Sequence, residues 1–292
     1  MSTNTHKGKR PNKSLVKKGL FVLLLFALLL SIQACELTIS ATRTPPATVG
    51  STVFAILQWK PSDRAIDVVF VPDGGYGNLT TTANRQNFFD DVADLIDEGF
   101  YQNNAVAMNI SLFNFWYMLN TGTVTPPASG ICPTLTWPNL TDAAFAEMVV
   151  IVHRNTAVRD CGGGGRASAR AGGGREWIVL HEGGHAIFGL PDEYCCDGGY
   201  WHVPPILYNS QASCTSDAAN AGWRNCQSFT ANNGSVWWRS EGLIVDLMSA
   251  AGPPVHEFGQ ADWVRVNTVL SGLPGASVNN PTVFAPTGWD WP

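Results

Sequence analysis

The sequence predicts an α/β domain on a mixed sheet, carried behind an export segment. Three observations predict it. Apolar and mixed runs between residues 66 and 152 read strand, helix, strand, strand, the pattern of a sheet covered by helices. A later run, residues 175–189, has the length of a helix and is apolar nearly all round, so it belongs in a core. The first 35 residues stand apart from both in composition. The chain has 292 residues, 45% hydrophobic and 14% charged, with a formal net charge of -5. That length fits one large α/β domain once the N-terminus is set aside. Binding to nucleic acid phosphates needs clustered Lys and Arg, and no cluster exists beyond the first eighteen residues. Nucleic acid is therefore excluded as a main partner.

The N-terminus begins "MSTNTHKGKRPNKSLVKK" and continues "GLFVLLLFALLLSIQAC". The apolar run from Gly19 to Ile32 is short for a bilayer span and suits the core of a signal peptide. Its end, "SIQAC", resembles a bacterial lipoprotein signal, with Ala34 before a Cys35 that would receive lipid and hold the protein at a membrane. Gln33 is an unusual occupant of its position there. Ordinary cleavage nearby and an uncleaved anchor are the alternatives, and all three place the rest outside the cytoplasm. Residues 36 to about 60, with "ISATRTPPATVGST", read as a tether. The expected organisation is a signal over 1–35, a tether over 36–60 and one folded domain over 61–292.

Seven cysteines is an odd number, and lipidation of Cys35 leaves six. Cys132, Cys161, Cys195, Cys196, Cys214 and Cys226 form an even set in an exported chain, which predicts disulfides of open connectivity. Adjacent Cys195 and Cys196 would each seek a distant partner, since a bridge between neighbours strains the peptide.

Along the domain, "AIDVVFVPDGG" reads as a buried strand ended by a turn, and "NFFDDVADLIDEGF" as a helix with Phe88, Val92, Leu95 and Ile96 on one face. "NNAVAMNISLFNFWYM" reads as a second strand and "AEMVVIVHR" as a third. "CGGGGRASARAGGG" lacks the Lys-Ser/Thr of a phosphate loop and reads as a loop or edge strand beside the site. "REWIVLHEGGHAIFG" is the core helix; its two adjacent glycines imply that something packs very close there. About fifty irregular, disulfide-held residues follow, then a last helix in "FGQADWVRVNTVLSG".

Within the core helix lies "HEGGHAIFGLPDEY". His181 and His185, four apart, project from one face, as two zinc ligands must. Glu182 beside them is placed to act as general base on a water. In the commonest long form of this motif a third ligand lies ten residues after the first histidine. Here that position is Pro191, which has no donor atom. Gly189 lies eight after His181 and Asp192 eleven after, each one later than in that form. One extra residue before the turn would bring Asp192 to the third position, with Glu193 as its rival. Either carboxylate could instead orient a histidine without binding metal. Downstream, "VDLMSA" places Met248 in a short turn of the kind that lies beneath such a metal. His153, His202 and His256 read as structural or surface residues, and Tyr194 as a ring packed beside the site with its hydroxyl capped.

Together "IDVVFVPDGGYG", "NFFDDV", the Gly-rich stretch, "HEGGHAIFGLPDEY" and the methionine turn resemble the IgA-peptidase family of metzincin-like zinc peptidases, over roughly Ala65 to Gly272. The doubled glycine in "PDGGYG" departs from that pattern. The resemblance implies an exported zinc endopeptidase with a mixed twisted sheet, an active-site helix and an irregular, disulfide-bearing C-terminal subdomain. It implies Zn2+ on His181, His185 and Asp192, Glu182 as the base and a protein or peptide substrate. Two other readings stay open: a surface-anchored binding protein on an inactive peptidase scaffold, and a zinc amidase acting on cell-wall peptide.

Overall fold

The structure, a computed structural model, describes residues 53–129, 131–194, 200–221, 226–240, 246–249 and 256–284. Cys35, Cys195 and Cys196 and the expected signal lie outside them. Among the described residues no helix is long and apolar enough to cross a membrane.

Strand β1 (Phe54–Leu57) is followed by β2 (Ile66–Pro72), and every residue of β2 is buried. Helix α1 (Thr82–Asp94) opens on Thr81, whose hydroxyl accepts from the Asn84 amide, and runs on into π-helical turns over Leu95–Phe100. A one-turn helix α2 (Asn104–Ala107) precedes β3 (Phe113–Tyr117). A small hairpin of β4 (Thr123–Thr125) and β5 (Thr134–Thr136) leads to β6 (Met148–His153), then β7 (Gly162–Gly163) and β8 (Arg166–Arg170). The main sheet has the order β1-β3-β2-β6-β8-β7. Its four inner strands run parallel and its two edges, β1 and β7, run antiparallel to their neighbours. The chain is thus a mixed-sheet α/β protein.

Alternation along β2 sends its side chains to two different layers. Val69 and Val71 join Val149, Ile151 and Met118 in one apolar cluster. Phe70 stacks on Phe115, which meets Phe100 edge-on at 5.0 Å between ring centres. Parallel strands buried on both faces read as continuous apolar runs, which is why β2 and β6 are plain in the sequence.

Three expectations need correction. The tether cannot extend to residue 60, because Phe54–Leu57 pairs with Tyr117–Phe115. A four-residue edge strand with only Ile56 buried carries too little pattern to be seen. The second strand is shorter than its apolar run: Asn103 accepts from the Val106 amide and caps α2, so only Phe113–Tyr117 is extended. The C-terminal part is more regular than expected. Strands β9 (Leu207–Tyr208), β10 (Gln227–Thr230) and β11 (Val236–Arg239) form a second sheet in the order β10-β11-β9.

Two disulfides lie among the described residues, Cys132–Cys161 and Cys214–Cys226. The second ties β10 to helix α4 (Gln211–Ala221). The last helix, α5, spans Gln260–Ser271.

Candidate metal centre

Helix α3 (Ile178–Gly183) passes into a π-helical turn over Gly184–Phe188 and stops at Gly189. Gly189 has φ 64° and ψ 37°, the left-handed conformation that reverses the chain at a helix end and that glycine adopts without strain. The chain then turns back across the histidine face.

That reversal brings Asp192 to the histidines. Its Oδ1 lies 3.2 Å from His185 Nε2 and 3.5 Å from His181 Nε2. Yet this oxygen, sealed from solvent, accepts no hydrogen bond of acceptable geometry from either ring. Both Nε2 atoms thus stand within 3.5 Å of one oxygen to which neither is well aligned for a hydrogen bond. Their other nitrogens are committed: His181 Nδ1 faces the Leu247 carbonyl and His185 Nδ1 the Leu190 carbonyl, both at 2.7 Å. A carbonyl only accepts, so each Nδ1 carries the proton, and a neutral ring then points its Nε2 lone pair inward. Two lone pairs and a carboxylate oxygen facing one another repel unless a proton or a cation sits between them. This donor set, two imidazoles and one carboxylate, fits zinc with an open fourth position.

Glu193 goes elsewhere. Its amide donates to the Met248 carbonyl at 3.1 Å, and its carboxylate groups with Asp246 and Asp262, not with the histidines. Met248 is fully buried under the helix: a Cβ built on Gly184 would stand 2.6 Å from its sulfur. That explains one of the two adjacent glycines. The same turn supplies the Leu247 carbonyl that holds His181, so the methionine turn and the helix are locked through that histidine.

Without a metal the electrostatics follow from burial and crowding. For His181 burial is the largest influence and lowers its pKa. The Asp192 and Glu182 carboxylates and the Leu247 carbonyl outweigh it and push the ring up to about 9. Burial raises Asp192, but the two imidazoles hold its carboxyl well below the usual range. Burial pushes Glu182 up to about 7, against the lowering effect of the histidines.

The site opens into a cavity of about 500 Å³. Residues on its walls that the motif alone did not reveal include Arg159, Asp160, Gly163 and Trp201, with the Cys132–Cys161 bridge. Arg159 and Asp160 directly precede the Gly-rich run, Gly163 lies within it and Cys132 is joined to it by the disulfide; no sequence signal pointed to Trp201. Strand β7 passes so close to the helix that a Cβ on Gly162 would stand 2.4 Å from the Glu182 carbonyl oxygen, so glycine is required there. Within that stretch only Gly162–Gly163 forms an edge strand beside the site; Arg166–Arg170 is the inner strand β8, so the expectation of a loop or edge strand holds for the first part alone. Tyr194 lines the cavity, and its hydroxyl accepts from Arg159 Nη2 at 2.9 Å. His153 is structural: it is fully buried, with Nε2 at 2.8 Å from Asp160 Oδ1.

No protein-family model matches the chain, and no curated protein matches it.

Proposed function

We propose that this chain is an exported zinc endopeptidase of metzincin-like type, akin to the IgA-peptidase family, held at a membrane by lipid on Cys35. One observation carries the enzymatic reading: His181 Nε2, His185 Nε2 and Asp192 Oδ1 converge, with both Nδ1 atoms pinned by backbone carbonyls and Oδ1 left without a hydrogen bond. A hydrogen-bonded structural trio would have satisfied that oxygen.

Zinc bound there would polarise the scissile carbonyl and bring the pKa of a water to about 7. The chain's own residues do the rest. Glu182, beside the ligands and lining the cavity, takes the proton from the attacking water and returns it to the leaving amine. Burial keeps its affinity for a proton near neutrality, which suits a group that must both accept and give one. The peptide lies in the cavity along β7, the antiparallel edge of the sheet, where backbone hydrogen bonds hold an extended chain without regard to its sequence. Trp201, exposed at the rim, supplies an apolar surface for a side chain.

A peptide-library digest tests this reading with three preparations: zinc-loaded protein, chelator-treated protein and zinc-loaded Glu182→Gln. Cleavage is expected in the first alone, with Glu182→Gln retaining stoichiometric zinc while losing about 10²–10⁴-fold in rate. A fully zinc-loaded wild type that cuts no peptide sinks the endopeptidase reading and favours a binding scaffold. Hydrolysis confined to cell-wall peptide would identify an amidase.

A further inference from the structure

Behind the histidine face lies a second group of potential ligands. Glu193, Asp246 and Asp262 each present a carboxylate oxygen, all within 4.8 Å of one another, and all three residues are buried. Three carboxylates so placed cannot all ionise without a compensating charge. The field of Arg239 reaches Asp246, and its guanidinium donates to the Glu193 carbonyl and to Gln227 Oε1.

Asp246 carries the second observation. It is 0% exposed, and its Oδ1 accepts from the Met248 and Ser249 amides at 3.0 and 2.7 Å. Its Oδ2, sealed from solvent, accepts no hydrogen bond. A buried carboxylate oxygen without a donor is costly, and its remaining capacity is open to a ligand shared with the other two carboxylates.

We propose that Glu193, Asp246 and Asp262 form a second metal site, for a hard divalent cation of the calcium class. The donors are all oxygen, which selects calcium, magnesium or manganese over the softer metals. Calcium–oxygen distances of about 2.3–2.6 Å let opposed oxygens stand about 5 Å apart, whereas magnesium at about 2.0–2.1 Å needs them nearer 4 Å. Oxygens that lie within 4.8 Å of one another fall inside the span that calcium bridges. Carboxylates that bind through both oxygens raise the coordination number without further residues.

The site joins three segments that frame the histidine centre. Glu193 follows Asp192 in the chain. Asp246 begins the turn whose Leu247 carbonyl holds His181. Asp262 lies in the first turn of α5, whose Arg265 Nε donates to the Phe188 carbonyl at the end of the metal helix. A cation here staples those segments and steadies the histidine centre from behind, whatever reaction that centre performs.

The test uses the full chain, stripped of metal while unfolded and refolded with or without millimolar calcium, zinc being present in both. Elemental analysis should find one calcium per chain besides zinc, and the thermal midpoint should rise with calcium concentration. Asp262→Asn should lose calcium affinity by at least 100-fold and keep zinc, while Asp192→Ala should lose zinc and keep calcium. Wild-type protein that takes up no calcium, magnesium or manganese, with an unchanged midpoint, overturns the proposal and means that the carboxylates hold protons. The wild-type measurement decides the matter even if Asp262→Asn does not fold. Peptide cleavage is not a readout, so failure of the peptidase reading leaves this result intact.

Discussion

The adjacent glycines of the helix that carries His181 and His185 make a paired test of how Met248 is packed. In a helix interior, Gly→Ala stabilises by about 1 kcal/mol, because alanine has less backbone freedom to lose. At Gly183 nothing opposes that gain: the nearest atom to a new Cβ is the Met148 sulfur at 3.5 Å, an ordinary contact. At Gly184 the new Cβ would stand 2.6 Å from the Met248 sulfur and 3.0 Å from its terminal methyl. Methionine is flexible, but Met248 is 0% exposed and has little room to yield. Overpacking of this kind costs about 1–3 kcal/mol, which equals or exceeds the propensity gain. Gly183→Ala should therefore be more stable than wild type, and Gly184→Ala no more stable than wild type. The two variants should differ by about 1–3 kcal/mol, or about 2–12 °C in thermal midpoint for a domain of this size. Circular dichroism melts of chelator-treated protein measure the difference directly. Zinc affinity should fall only in Gly184→Ala, since the displaced turn carries the Leu247 carbonyl that orients His181. Equal stability of the two variants would refute the close packing of Met248 beneath the helix.

Further outcomes follow from the same geometry. Asp192→Ala should weaken zinc binding by more than the 10–100-fold typical of a residue that only orients a ligand, while Glu193→Ala should stay within about tenfold; zinc titrations showing the reverse order would make Glu193 the ligand. In metal-free protein His181 is protonated below about pH 9, and a protonated ring cannot bind metal. Zinc affinity should then fall about tenfold per pH unit on acidification from pH 9, and a flat profile in competition titrations between pH 7 and 9 would contradict the crowding of His181 by Asp192. Cys132→Ser with Cys161→Ser should cost about 3–4 kcal/mol in a denaturant melt and also lower kcat/KM, because Cys161 precedes the glycine packed on Glu182. Cys214→Ser with Cys226→Ser opens a shorter loop and should cost about 3 kcal/mol with little change in kcat/KM.

Local periodicity made part of the site legible from residue order alone. A spacing of four places His181 and His185 on one helix face wherever that helix lies, and a glycine at 189 predicts a left-handed stop whatever surrounds it. Long apolar runs likewise announced β2 and β6, since a strand buried on both sides needs no polar alternation. The choice between Asp192 and Glu193 was of another kind. Both are carboxylates in one short stretch, and their side chains part company only because one faces the helix and the other the interior. Local sequence carries no record of which side the rest of the chain will occupy. The same holds for the Leu247 carbonyl, 66 positions from the histidine it holds, because every residue has a carbonyl and only folding selects one. It holds again for β1, too short to pattern, and for the joining of Glu193 to Asp246 and Asp262 across distant segments. Short-range physics depends on neighbours in the chain and can be read there; convergence of distant groups depends on packing, and only the tertiary structure decides it.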